Sequence, residues 1–106
     1  MRKLAIGTLG LVTSTATATR ITAADASFAA GLAHADQVTV LGFQWISGTI
    51  TIGDSTVTAA RVGAYCELDT TTRVKVFEST SDTASLPIND FYCIGTGTFI
   101  CYYQCF

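Results

Sequence analysis

Between Val38 and Glu78 the β-branched residues fall in short runs divided by turn residues, and this arrangement restricts the chain more than any other feature. Ile50 and Ile52 alternate with Thr49 and Thr51, Gly53-Asp54 supplies a turn, and Val57 to Val62 is expected to return beside the first run as part of a meander. Val38-Thr39-Val40-Leu41 predicts a strand, with Gly42 marking a bulge before Phe43-Gln44-Trp45-Ile46. In Arg73 to Glu78 the pattern points Val74 and Val76 at the core and leaves Lys75 and Phe77 on the other side, where Phe77 covers a strand edge or joins a contact surface. Trp45 is expected in the core, since a large aromatic brings area that a small domain needs. The fold class that follows is mainly β: a small antiparallel β-sandwich or barrel-like meander. At most one short helix is expected near residues 23–35, where Ala24, Phe28, Leu32 and Ala35 keep helical spacing behind Thr22 as N-cap.

The start of the chain reads differently. Residues 1–20 form an apolar N-terminal arm or signal-like segment, and residues 21–106 a single β-rich domain. Arg2-Lys3 precedes an apolar run from Leu4 to Val12, and Ala16-Thr17-Ala18 would serve as a cleavage site. Gly7, Thr8 and Gly10 interrupt that run, which favours an uncleaved arm or a first strand over a signal. It is shorter than the about 20 apolar residues that a membrane-spanning helix needs.

The last stretch, Phe91 to Phe106, carries no charged side chain and predicts a hairpin turning at Gly95-Thr96-Gly97. In that hairpin Cys93 would oppose Phe99. The G-x-G lacks the third glycine and the Lys-Ser/Thr of a phosphate loop, so it reads as a turn. An apolar terminus must be docked, pinned or laid against a partner. Disulfides are one means: Cys66, Cys93, Cys101 and Cys105 make an even count that permits three connectivities. Free core thiols are the other reading of the same four residues. Zinc is not expected, because C-x7-C and C-x3-C are not clamp spacings and His34, the single histidine, is remote.

Function is constrained mainly by exclusion. Charged residues make up 13% of the chain, roughly half of what a soluble domain usually carries. Net charge is -2 and the six basic residues form no cluster, so nucleic-acid binding is disfavoured. His34 with Asp36, and Glu67 with Asp69, are the nearest approaches to acid/base pairs, and neither has a third partner in sequence. No nucleophile motif is present, so no enzymatic role and no cofactor are expected. The remaining expectation is a structural subunit of a larger assembly, such as a small virion protein, homo-oligomeric and bound to neighbouring protein subunits. Leu4, Ile6, Leu9, Leu11, Phe77, Phe99, Tyr102, Tyr103 and Phe106 are its expected interface. The alternative is a secreted, disulfide-stapled β module that binds a cell surface or ligand.

Overall fold

The alternating runs become strands, and most of the turns between them become crossings between two layers. The computed structural model describes residues 5–21, 38–79, 86 and 88–105. In chain order the strands are β1 (Ala5–Thr13), β2 (Thr19–Arg20), β3 (Val38–Ser47), β4 (Ile50–Gly53), β5 (Ala64–Leu68), β6 (Val74–Glu78), β7 (Tyr92–Gly95) and β8 (Thr98–Cys105). Sheet I has the order β1-β8-β3-β6 and sheet II the order β2-β7-β4-β5, with every pairing antiparallel. The protein is therefore mainly β, two four-stranded sheets packed face to face. The connections β1 to β2, β3 to β4, β5 to β6 and β7 to β8 each step from one sheet to the other. The two strand orders match along these four short connections, which set β1 with β2, β8 with β7, β3 with β4 and β6 with β5.

Alternation then fills the space between the layers. Leu41 and Phe43 of β3 and Phe99 and Cys101 of β8 point inward from sheet I, and Ile50, Ile52, Leu68 and Cys93 meet them from sheet II. Phe43 sits at the centre, its ring centroid 6.0 Å from those of Phe77, Phe91 and Phe99. Each such side chain contributes roughly 1.5–3 kcal/mol by leaving water. Trp45 packs half-buried against this core, and its indole N–H donates to the Gly48 carbonyl at 2.8 Å.

At one end three crossings converge on backbone contacts. The Ser14 amide and hydroxyl both donate to the Gly97 carbonyl, at 2.9 and 2.8 Å, and the Gly97 amide donates back to the Ser14 hydroxyl at 2.9 Å. The Gly95 amide donates to Thr15 and the Thr96 amide to Thr49. Gly48, at φ +74°, lies directly against Gly97, and a Cβ on Gly97 would come within 2.0 Å of the Ser47 carbonyl oxygen. Only glycine fits both positions.

Several expectations change in three dimensions. Residues 57–62 are not a strand: Asp54 accepts from the Thr56 amide, Arg61 takes φ 71°, and Ala64–Leu68 pairs with β4 instead. Local side-chain bonds have taken the backbone groups a ladder would use. Gly95-Thr96-Gly97 is not a hairpin turn, because its amides are committed to Thr15, Thr49 and Ser14, and Cys93 and Phe99 lie in different sheets. Gly42 is not a bulge: it pairs in register with Tyr102 and Val76, and the Tyr102 ring lies over it. The faces of β6 are reversed, with Phe77 turned inward onto Phe43 and Phe91 and with Val74 and Val76 exposed. Strand alternation permits only one of the two sets inside, and Phe77 there meets the rings of Phe43, Tyr65 and Phe91 edge-on. The expected helix at 23–35 lies outside the described residues. Among those described there is no α-helix, and Ile88–Asp90 is a 3-10 turn.

Gly97→Ala should cost at least about 2 kcal/mol in urea unfolding, because the backbone of Ser47 and Gly48 blocks the methyl group. Gly42→Ala should cost under about 1 kcal/mol, since its obstruction is the far end of the movable Tyr102 side chain. Equal losses would contradict the convergence of the crossings.

Candidate interaction surface

The pairing registers decide which apolar side chains are left outside. Leu11, Ile100, Gln44 and Val74 form one row across all four strands of sheet I, and Thr8, Tyr102, Gly42 and Val76 form the next. A bulge between Thr8 and Gly10 sets this arrangement, turning Leu11 outward and Val12 into the core. The Thr8 hydroxyl fixes the bulge by donating to the Cys101 carbonyl at 3.0 Å and accepting from the Gly10 amide at 2.9 Å. Leu11 is 61% exposed, Val74 55%, Ile46 43% and Val76 40%. Ile100, Tyr102 and Val40 fill the gaps between them, half-buried.

Among the described residues, Glu78 is the only charged one whose register position falls on this face, and it sits at a corner opposite Val40. The outer face of sheet II differs. There Arg20 pairs with Tyr92 and Glu67 with Thr51, while Ile94 is already buried. Other charges gather around an open cleft of about 510 Å³ lined by Arg61, Tyr65, Cys66, Glu67, Asp69 and Lys75. These charges are already engaged. Arg61 forks onto Glu67 through Nε and Nη2 at 3.0 and 2.9 Å. The Asp69 carboxylate accepts from the Thr72 and Thr71 amides, and those bonds hold it below the usual carboxylate range. Arg73 lies 5.6 Å from the Trp45 ring, and Lys75 5.5 Å from that of Phe77.

The interface residues expected from sequence scatter. Leu11 and Tyr102 lie on the outer face of sheet I. Phe99 is fully buried at the centre of the core and presents nothing to a partner, a correction that follows from its pairing opposite Trp45. Phe77 and Tyr103 also turn inward and pack against the core rather than outward. Leu4 and Phe106 lie outside the described residues, as do the side chains of Ile6 and Leu9. Sequence reading missed Val74, Val76, Ile46, Ile100 and Val40. The signal was there in β3 and β8, where both parities are apolar, the pattern of strands covered on both faces.

Cys66, Cys93 and Cys101 are free thiols. Burial pushes Cys66 up to about 11, with Lys75 drawing it back, and pushes Cys93 up to about 11 as well. Cys101 is raised further by burial and by its neighbour Cys93 across the core. The Cys105 side chain, His34 and Asp36 lie outside the described residues. No three His, Cys, Asp or Glu side chains gather as metal ligands among those described. No helix among them is long and apolar enough to cross a membrane. Comparison of the chain with protein-family models, with curated proteins and with solved structures returns no match.

The thiols give stability a pH dependence. An unfolded thiol ionises near 9.0, whereas folded Cys66 and Cys93 hold their protons to about 11. The native state therefore binds more protons across that window. Each thiol's contribution is intact below pH 9 and is lost as pH rises toward 11, at no more than about 1.4 kcal/mol per pH unit and less for the partly exposed Cys66. Under reducing conditions Cys66→Ala should flatten the fall in unfolding free energy between pH 9 and 11. An unchanged slope would contradict the burial of this thiol.

Proposed function

We propose that this chain is a non-enzymatic structural subunit of a larger assembly, bound to neighbouring protein subunits through the outer face of sheet I and its apolar ends. A small virion protein, such as a capsid decoration, cement or tail accessory protein, is the concrete form of this reading. It places the chain in a virion or another extracellular assembly. One observation supports the reading above the rest: a four-stranded face with large aliphatic groups in its rows and, among the described residues, one charge, at a corner. A free monomer with such a contiguous patch is prone to aggregate, and a covering partner removes that liability. A nucleic acid would require cations that this face does not carry.

A second reading is favoured by the cysteines. Cys93 and Cys101 turn inward from stacked strands β7 and β8, as they would in a secreted module stapled between its sheets.

Material recovered from its natural source separates the readings. For an assembly subunit, the chain sediments with a complex many times its 11.2 kDa. Cysteines placed by Leu11→Cys and Val74→Cys then react with maleimide more slowly in the complex than in the isolated chain. A solitary unit with both positions fully reactive would refute the assembly reading. An intact mass lowered by the hydrogens lost to disulfides, with an N-terminus trimmed past Ala18, would establish the secreted one.

A further inference from the structure

We propose that the outer face of sheet I binds the same face of a second copy of this chain, forming a two-fold pair of sandwiches. This rests on the assembly reading and names the first neighbour. A partner docked here must be flat and uncharged where it meets Leu11, Ile100, Val74 and Val76, because any unpaired charge would lose its water without compensation. A second copy meets that condition by construction: its rows have the same width, the same twist and the same neutrality. A two-fold axis lying in the interface through the centre of the face, and running near the strand direction as aligned packing requires, carries Glu78 to a different corner from its mate. The two carboxylates therefore do not meet, and each stays at the wet rim.

The chemistry of the rows also suits self-packing. Gln44 and Tyr102 interrupt the aliphatic groups with polar atoms that both donate and accept, so a row can pair with its own reverse. Tyr102 lies flat over Gly42, which levels the middle of the sheet. Aligned sheets about 10 Å apart are the ordinary solution for two such faces.

Size sets the strength of the pair. Four strands about 4.8 Å apart, with about seven residues each in contact, give a footprint of roughly 450 Å². That is near half of the roughly 800 Å² that a standard stable interface takes from each partner. The pair is therefore reversible and concentration-dependent, unless further subunits lock it in place.

Sedimentation equilibrium of the full chain under reducing conditions, from about 5 µM to about 500 µM, tests this. The mass should rise from 11.2 kDa toward twice that value. Leu11→Lys or Val74→Lys should hold it at the monomer throughout, with melting unchanged because both positions are solvent-exposed. Val62→Lys is the control. Val62 is as exposed as Leu11 but lies in the loop between β4 and β5, away from the face, so it should leave the dimer intact. A wild-type monomer at every concentration would overturn the proposal, as would a dimer that survives both lysines. If that monomer's Leu11→Cys and Val74→Cys sites react freely in isolation but are shielded in the native complex, the self-pairing fails and the assembly reading stands. If those sites are shielded in the isolated monomer, the chain covers its own face and both readings fail.

Discussion

The reciprocal hydrogen bonding of Ser14 with Gly97 is the constraint on which the rest of the fold depends. It ties the crossing after β1 to the crossing between β7 and β8, and Gly48 wedges the β3 to β4 crossing against the same point. With the three crossings held together, the two sheets cannot slide along one another. Phe43 then meets Phe77, Phe91 and Phe99 in one place. The bonds matter more for what they prevent than for what they add, because a buried amide or carbonyl left unpaired here would cost about 1–3 kcal/mol.

The same crossings divide the molecule into two unlike surfaces. Charged side chains fall on β5 and in the turns at its ends, as Glu67, Arg61 and Asp69 do. Sheet I receives the longest strands, and among the described residues Glu78 is the only charge at a register position on its outer face. Its central strands are apolar on both parities, a pattern that belongs to sheets with a layer on each side. Only one of those layers, sheet II, belongs to the described fold. The neutrality of the remaining face is what joins this architecture to an assembly role.

Much of the fold was legible in the sequence because β-branched alternation and turn residues are local signals. The antiparallel sandwich and the strands over Val38–Ser47, Ile50–Gly53 and Val74–Glu78 could be read that way. What failed depended on non-local partners. Gly95-Thr96-Gly97 has the composition of a hairpin, yet its amides are satisfied by Thr15, Thr49 and Ser14, residues distant in sequence. In β6 each parity mixes apolar and charged residues, Val74, Val76 and Glu78 against Lys75 and Phe77, so alternation alone did not decide which side was inside. That was decided by the space beside Phe43 and Phe91. The same ambiguity hid Val74 and Val76 from the candidate surface and placed Phe77 and Phe99 on it wrongly. Leu11 could be read as apolar, but its outward direction follows from the one-residue bulge before Gly10, which no period-two pattern contains.

Amide hydrogen exchange at Gly95, Thr96 and Gly97 tests the role of the crossings most directly. If these three turn residues hold the sheets together, their amides should exchange only through global unfolding, with protection matching that of Phe43 and Phe99 in the core. Exchange as fast as that of Ser55 and Thr70 in the exposed turns would show that the crossings open independently, and would contradict this account of how the two sheets are held.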